Sequence, residues 1–261
     1  MQTRFSYDDA FTAHIEKIDA DLRAKFGMNT NDTSVGVLDL KTDRAGVVRD
    51  RKLEYAASVA KIGILLAYFE MNRPAATNLD VQTKHDLGLM IKASSNEMAT
   101  KFSEPLGLAQ IQIVLNSYGL YDERDGGGIW MGKHYGKTGE RVGDPVGDNS
   151  HAARVKELLI FYWKLDRGLL VSPQASKTMR EIFASPEIPH DDIKFVKGLA
   201  GRNLTILRKW GSWENWLHDS AIIEGPNRKY ILVALTHHPR GDDYLEELAR
   251  EIDNLMTSRR P

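Results

Sequence analysis

The stretch EYAASVAKIGILLAYFE, residues 54–70, predicts a helix that is apolar on nearly every side. A helix of that kind is buried in the core of a protein. Near its start it carries Ser58 and Lys61, and residues three apart lie on one face of a helix. A buried lysine is costly unless another group pairs with it or the protein uses it. The fold must therefore accommodate a lysine amine in its core, next to a serine.

Ser58 and Lys61 have two interpretations. A serine hydroxyl is a poor nucleophile until a base takes its proton, and a lysine in apolar surroundings has a lowered pKa and can act as that base. In the first turn of a helix, free backbone N–H groups also favour a developing negative charge. In the alternative interpretation, Ser58 caps the helix and the Lys61 amine reaches the surface. One S-x-x-K match is expected by chance in such a chain, so the motif alone favours the alternative.

Composition limits the classes of partner. The chain has 261 residues, with 35 Lys and Arg against 36 Asp and Glu, so no charge excess points to a nucleic acid or an anionic membrane. No apolar run reaches the roughly 18 residues of a membrane span. The absence of cysteine excludes disulfides, thiolate catalysis and cysteine-bound zinc. His218, His237 and His238 lack a metal-ligand spacing, so no metal site is predicted.

The order of predicted elements indicates one domain, residues 1–261. The sequence predicts a helix at 6–26, strands at 33–40 and 47–54, helices at 81–93, 97–118 and 150–168, a helix from Pro173, strands at 203–213, 216–225 and 229–238, and a helix at 242–256. Ser150 and Ser172 are the expected N-caps of two of these helices. The predicted fold is α/β, of the α+β type. A five-stranded antiparallel sheet is built from 1–55 and 196–261, with flanking helices and a helical subdomain at 56–195.

Two further motifs accompany the S-x-x-K pattern. The sequence S-S-N at 94–96 lies at a corner between predicted helices, and K-W-G at 209–211 lies in a strand after the helical block. Each is common alone, but together they have the order S-x-x-K on a helix, S-x-N in a helical loop and K-[ST]-G on a strand. Over nearly its whole length the sequence resembles the serine β-lactamase and penicillin-binding protein superfamily, and within it the class A β-lactamases. The resemblance implies a β-lactamase-like fold.

The resemblance also implies a role for each motif residue. Ser58 corresponds to the nucleophile that is acylated, and Lys61 to its general base. Ser94 corresponds to a proton relay to the leaving group, and Asn96 to a residue that holds the substrate amide and helps orient Lys61. Lys209 is expected to supply positive charge near Ser94 and the substrate.

The oxyanion hole of such a site is expected from the backbone N–H groups of Ser58 and Ser212. Gly211 and Trp210 complete the predicted substrate-binding strand. Trp210 departs from the family pattern, because it replaces a serine or threonine whose hydroxyl helps bind the carboxylate of a β-lactam. An indole cannot accept a hydrogen bond in its place.

The long segment 119–149, which contains nine glycines, is the second departure. It has no counterpart of the E-P-E-L-N loop, whose glutamate activates the deacylating water in class A enzymes. Glu140, Asp144 and Asp148 are the acids late in this segment, and Glu140 and Asp144 are the candidates for that base. The alternative is that all three are solvated loop carboxylates.

Aromatic residues near these motifs have two interpretations each. Trp210, Trp213 and Trp216 either form an aromatic sheet edge for an apolar acyl group or pack in the core. In the segment 119–149, Trp130, Tyr135 and Lys137 form either a substrate-facing edge or a packed anchor of the loop.

The predicted activity is that of a serine hydrolase with an acyl-enzyme on Ser58. β-Lactam, small ester and peptide or amide substrates all fit the same first step, so esterase, amidase and DD-peptidase activities stay open. The alternative is a penicillin-binding or sensor protein that is acylated without turnover, or an inactive scaffold. We expect a monomer that takes a small-molecule or peptide acyl substrate and needs no cofactor. The N-terminus lacks a signal peptide core, which predicts a cytoplasmic protein unless a removed signal made it periplasmic or secreted.

Overall fold

The centre of the fold is a sheet whose strands come from both ends of the chain. The structure is a computed structural model, and it describes residues 5–136, 139 and 141–259. The strands are β1 (Ser6–Tyr7), β2 (Thr33–Asp39), β3 (Arg44–Val48), β4 (Glu54–Tyr55), β5 (Tyr121–Asp122), β6 (Gly127–Gly128), β7 (Trp130–Met131), β8 (His151–Ala153), β9 (Thr205–Trp213), β10 (Trp216–Gly225) and β11 (Arg228–His237).

Helices cover both faces of this sheet, which confirms the predicted fold class. They are α1 (Asp9–Phe26), α2 (Lys61–Met71), α3 (Ala75–Asn78), α4 (Val81–Ile91), α5 (Asn96–Leu106), α6 (Leu108–Ser117), α7 (Val155–Asp166), α8 (Pro173–Ala184), α9 (Lys194–Gly198) and α10 (Gly241–Ser258). Short 3₁₀ turns precede β2 and α2 and follow β5. None of the helices within the described ranges is long and apolar enough to cross a membrane.

The main sheet has six strands, in the order β1-β3-β2-β11-β10-β9, where the sequence predicted five. The additional strand is β1, in which Ser6 pairs in parallel with Arg44 of β3. Two residues are too few for a periodic pattern, so the sequence had assigned them to the following helix. That helix begins at Asp9, where the Asp8 side chain accepts a hydrogen bond from the N–H of Phe11.

The central strands read as continuous apolar runs because both faces of the sheet are buried. In β11, Ile231, Val233 and Leu235 pack into the core that α2 and α7 cover. The alternate residues Leu232 and Ala234 pack on the other face, against α1 and α10. Two apolar layers therefore hold the sheet, and its outer strand β9 stays free along one edge.

Several predicted elements differ from the observed ones. The stretch 54–70, predicted as one helix, forms β4, a 3₁₀ turn and then α2, and the strand predicted at 47–54 is β3 at Arg44–Val48. The segment predicted as one helix at 97–118 forms α5 and α6, which are separated at Gly107, a residue with a φ of 76°. Ser150 is not an N-cap, because the three residues after it form β8 and pair with β4. The next helix, α7, begins at Val155 instead. Pairing with a strand distant in sequence outweighs a local capping signal here. By contrast, Ser172 caps α8 as predicted, and its Oγ accepts from the N–H of Ala175.

Candidate active site

Ser58 and Lys61 lie where a 3₁₀ turn, Ala57–Ala60, leads into α2. Ala57 has a φ of 45°, an uncommon left-handed conformation for a residue with a side chain. Strained backbone of this kind clusters at functional sites. Lys61 is the first residue of α2 and is fully buried, whereas Ser58 is half-buried. The lysine does not reach the surface, so the alternative interpretation of the motif does not describe Lys61.

The Lys61 amine is held by the corner between α4 and α5. Its Nζ donates to the backbone oxygen of Ser94 at 2.5 Å and to Oδ1 of Asn96 at 2.7 Å, and it lies 3.4 Å from Oγ of Ser94. Ser94 has a left-handed φ of 57°, which turns its carbonyl toward the amine. None of the hydrogen bonds of Lys61 among described residues goes to Ser58. The predicted link between Asn96 and Lys61 is thus present as a direct contact.

Lys209 of β9 reaches the same corner from the opposite side. Its amine donates to Oγ of Ser94 at 2.9 Å and to the backbone oxygen of Trp210 at 2.6 Å. Ser94 therefore stands between two lysine amines. The three motifs, which are far apart in sequence, converge on one place.

Burial changes the protonation of both lysines. Loss of solvation in the core lowers the pKa of Lys61 to about 7. Burial also lowers the pKa of Lys209 well below its usual range, and the nearby charges of Lys61 and Arg208 lower it further. Near neutral pH a substantial fraction of Lys61 is uncharged and able to accept a proton.

Gly211 brings β9 against the turn that carries Ser58. A Cβ atom added to Gly211 would lie 2.8 Å from the backbone nitrogen of Ser58 and 3.0 Å from that of Val59. Only glycine allows this approach, since real Cβ atoms do not come so close to backbone. The strand following Gly211 therefore runs past the N–H of Ser58, which is the arrangement an oxyanion hole of Ser58 and Ser212 requires.

Tyr135 of the glycine-rich segment covers the other side of Lys61. The Lys61 amine lies 4.5 Å from the centre of the tyrosine ring, and the Tyr135 hydroxyl donates to the backbone oxygen of Ala57 at 2.7 Å. The ring also stacks on His151, with 4.3 Å between centroids. Burial lowers the pKa of His151 to about 4, so that this imidazole is neutral at physiological pH. Tyr135 is a packed anchor, one of the two interpretations that the sequence allowed. Lys137 lies outside the described residues.

The two late acids of the glycine-rich segment that the structure describes, Asp144 and Asp148, make no hydrogen bond to Lys61. The carboxylate of Asp144 is buried and accepts hydrogen bonds from the backbone N–H groups of Val146, Gly147 and Asn149, which folds its own loop. Asp148 is exposed and pairs with Arg141. Glu140 lies outside the described residues. The geometry thus gives Asp144 a structural role.

The tryptophans of the K-x-G strand have different environments. Trp210 is partly buried, its ring lies 5.2 Å from the Lys209 amine, and no described group accepts a hydrogen bond from its buried Nε1. Trp213 is 60% exposed. Trp216 stacks on His237 with 3.9 Å between ring centroids. Trp213 and Trp216 are therefore not core residues.

A cleft of about 600 Å³ opens beside the lysine site. Asn96 and Tyr135, which contact Lys61, lie at its wall, together with Tyr55, Trp213 and Trp216. Polar groups line the remainder, namely Lys133, His134, Arg141, Asp148, Asn149, Ser150 and His151. The cleft thus combines an aromatic wall with a polar one.

Sequence reasoning missed two groups at this site, His151 and Lys194. Lys194 is fully buried, and its amine donates to the backbone oxygen of Gly211 at 2.8 Å. The signal for it in the sequence is only a lysine between apolar neighbours. His218 is also buried and bonds the backbone of Tyr55 and Thr236. No group of three or more histidine, aspartate or glutamate side chains placed to hold a metal ion occurs within the described ranges.

Comparison with models of known protein families shows which family this chain belongs to. Residues 76–257, more than half of the chain, match the family model described as the beta-lactamase enzyme family. The matched range contains Ser94, Asn96 and Lys209, whereas Ser58 and Lys61 precede it. No curated protein sequence gives a significant match.

Solved structures with similar folds cover nearly the whole chain. A β-lactamase from Sphaerobacter thermophilus DSM 20745 has a TM-score of 0.75 at 14% identity, over 95% of this chain and 98% of that one. A variant of PBP-A, solved as an acyl-enzyme complex with penicillin G, has a TM-score of 0.70 at 14% identity, over 99% and 100%. The class A β-lactamase of the last common ancestor of Gram-negative bacteria has a TM-score of 0.72 at 19% identity, over 94% and 99%. The architecture is therefore that of a β-lactamase.

Gly211→Ala tests the close approach of β9 to Ser58. We expect this variant to lose at least about 100-fold in activity, because the methyl group displaces the strand and its oxyanion-hole N–H. The measurement is the rate of ester hydrolysis beside the melting temperature. Gly139→Ala is the matched control, since nothing lies within 4 Å of a Cβ there. Equal activity of the two variants would contradict the proposed contact.

Proposed function

Because the chain belongs to the beta-lactamase enzyme family, we propose that it is a serine hydrolase that forms a covalent acyl-enzyme on Ser58. Its substrates are amides or esters, among them β-lactams. The observation that carries the proposal is the convergence of Lys61, Ser94 and Lys209 on one corner, while Gly211 brings β9 against the turn that carries Ser58. These positions support the roles of nucleophile, base, proton relay and oxyanion hole.

Acylation follows from these positions. The neutral Lys61 amine takes the proton of Ser58 as Oγ attacks the acyl carbonyl carbon, and the electron pair of the carbonyl bond moves to its oxygen. The N–H groups of Ser58 and Ser212 stabilise that oxyanion. When the intermediate collapses, the bond to the leaving group breaks and Ser94 delivers its hydroxyl proton to the departing atom. The Lys61 ammonium, whose Nζ lies 3.4 Å from Oγ of Ser94, replaces that proton and becomes neutral again. Lys209, which donates to Ser94, supplies the positive charge that keeps this hydroxyl in place.

The second half of the proposed reaction is the release of the acyl group from Ser58. A water must attack the acyl-enzyme, and a general base for that step commonly contributes roughly 10²–10⁴ in rate. No carboxylate within the described ranges bonds to Lys61, and Tyr135 packs on the amine instead. We therefore propose that deacylation is slow. This observation also favours the second candidate function, a penicillin-binding protein that is acylated with little turnover.

The cleft supports a substrate with an aromatic or apolar acyl group. Trp213 is exposed next to the Ser212 peptide, and Tyr55 and Trp216 continue the same wall. An exposed tryptophan next to a reaction centre provides a large flat surface for a ring. The carboxylate of a β-lactam contributes less binding free energy here than with a serine or threonine at position 210, because Trp210 offers it no hydroxyl. One hydrogen bond to a charged group is typically worth about 1.5–3 kcal/mol.

Ser58→Ala tests the nucleophile. We expect wild-type protein mixed with benzylpenicillin or p-nitrophenyl acetate to gain the mass of the acyl group, and Ser58→Ala to gain none. The ester should turn over faster than penicillin, because a compact acyl group leaves room for water. Ser172→Ala is the control, since it removes a helix cap far from the site and costs only about 1 kcal/mol. Efficient penicillin turnover without a trapped intermediate would exclude slow deacylation.

The pH dependence of acylation tests Lys61. The base must be neutral, and its pKa is lowered to about 7, so the acylation rate should rise with pH up to about 7 and level off between about pH 7 and 8. Below pH 7 the expected slope is about tenfold per pH unit. The measurement is the pre-steady-state burst of p-nitrophenol at each pH. A rate that is constant from pH 5.5 to 7 would mean that another group activates Ser58.

Trp213→Ala tests the aromatic wall. We expect kcat/KM for p-nitrophenyl phenylacetate, divided by that for the acetate, to fall about 2- to 12-fold, the equivalent of one ring contact. The acetate rate itself should change little. Tyr7→Ala is the matched control, because Tyr7 is 44% exposed on β1, at the opposite edge of the sheet. An unchanged ratio in Trp213→Ala would place the acyl group elsewhere.

A further inference from the structure

Lys194 is a buried charge for which the acylation steps above provide no role. It begins α9 with a left-handed φ of 54° and is 1% exposed. Its Nζ donates to the backbone oxygen of Gly211 at 2.8 Å, to Oγ of Ser212 at 2.6 Å and to the backbone oxygen of His218 at 3.3 Å. A buried lysine is costly unless the groups that accept its hydrogen bonds matter, and the two shorter bonds of Lys194 go to Gly211 and Ser212.

We infer that Lys194 orients and polarises the Gly211–Ser212 peptide, so that the Ser212 N–H becomes a stronger donor to the oxyanion. Lys194 is thus a positioning residue that acts through the peptide and does not touch the substrate. This inference rests on the proposed function, because it assigns the Ser212 N–H to the oxyanion hole.

The geometry of the strand pair supports this orientation. Gly211 of β9 is paired with His218 of β10, and one amine contacts both of their carbonyl oxygens. The two oxygens therefore lie close together, as in an antiparallel pair whose carbonyls point between the strands. In a trans peptide the N–H points away from the preceding carbonyl. The Ser212 N–H consequently points to the free edge of β9.

A second contact agrees with this assignment. In a strand, residues two apart direct their backbone groups to the same side. The Trp210 carbonyl accepts from the Lys209 amine, which also bonds Ser94 at the cleft. The backbone of Ser212 faces the same side as that of Trp210. The free edge of β9 at Ser212 is therefore the edge that faces the cleft.

A cation on the Gly211 oxygen strengthens the donor at the other end of the same peptide. Hydrogen bonds in a chain polarise one another, and the effect is larger where water is excluded. The bond from Lys194 is also charge-assisted, which makes it stronger than a neutral one. Since Lys194 and the pairing of β9 with β10 fix the Gly211–Ser212 peptide, its N–H needs no reorientation during the reaction.

The charge of Lys194 depends on pH. Burial lowers its pKa to about 8, Arg208 on β9 lowers it as well, and the carboxylates of Asp219 on β10 and Asp242 on α10 raise it. His218 and Lys209 also face it, and burial lowers the pKa of His218 to about 3, so that this ring is neutral. Lys194 thus carries its charge at pH 7 and loses it above about pH 8.

The experiment compares Lys194→Met and Lys194→Arg in the burst of p-nitrophenol from p-nitrophenyl acetate, from pH 6 to 10. We expect Lys194→Met to acylate about 10- to 100-fold more slowly at pH 7, which is less than the loss of a whole oxyanion-hole donor. The wild-type rate should fall again above about pH 8, and this fall should be absent in Lys194→Met. Lys194→Arg should restore much of the rate and keep its charge to higher pH.

Lys197→Met is the matched control, because Lys197 lies on the same short helix with an exposed side chain paired with Glu246. It should keep the wild-type rate and pH profile. A folded Lys194→Met protein that acylates within twofold of wild type would overturn the inference. A slow Lys194→Met protein that retains the fall above pH 8 would overturn it too, since another group would then cause that fall.

Asp242→Asn keeps the inference testable if Lys194→Met does not fold. It removes a carboxylate 3.7 Å from the amine, at a half-exposed position. The pKa of Lys194 should drop, and the alkaline fall should move to lower pH; an unmoved fall would overturn the inference. Failure of the proposed function has a different signature, because wild-type protein would then show no burst and no acyl mass on Ser58 at any pH.

Discussion

The hydrogen bonds of the Lys61 amine to the Ser94–Asn96 corner hold the candidate site together. The shift of the Lys61 pKa from 10.5 to about 7 corresponds to about 5 kcal/mol against the charged form. Two oxygen acceptors within 2.7 Å offset part of that cost. They also connect the buried helix α2 to the corner between α4 and α5. Ser94 at this corner also accepts a hydrogen bond from Lys209 of β9, the edge strand of the sheet.

Three lysine amines, those of Lys61, Lys194 and Lys209, approach the end of one strand. Burial lowers the pKa of each, and Lys61 and Lys194 both lower that of Lys209. Such repulsion destabilises the folded protein. In the proposed reaction Lys61 begins neutral and gains its charge when it takes the Ser58 proton, at the moment when negative charge develops on the substrate oxygen. Positive charge near a developing oxyanion is the usual source of transition-state stabilisation in acyl transfer. The cost in stability and the gain in reactivity thus have the same physical origin.

The local part of this arrangement could be predicted from sequence, and the long-range part could not. The K-x-G motif and the three last strands have short-range patterns, and the structure has them at or within two residues of the predicted positions. The S-x-x-K stretch is helical as predicted only from Ala57 onward, because residues 54 and 55 form β4. The pairing of Ser6 with Arg44, the strand after Ser150 and the stacking of Tyr135 depend on contacts between distant segments. Lys194 shows the same limit, because only the fold reveals which peptide its amine reaches.

For the proposed reaction, the contacts of the site favour formation of the acyl-enzyme over its release. Hydrogen bonds hold Lys61, Ser94 and Lys209, which act in the first half of the proposed reaction. For the second half, the Tyr135 ring packs on the Lys61 amine and the His151 imidazole stacks on that ring, and both side chains are neutral. A neutral imidazole is a weak base when burial holds its pKa near 4, and it already bonds the backbone of Lys133. The same packing that keeps water from the Lys61 amine, and so lowers its pKa, therefore also limits the water that could release the acyl group.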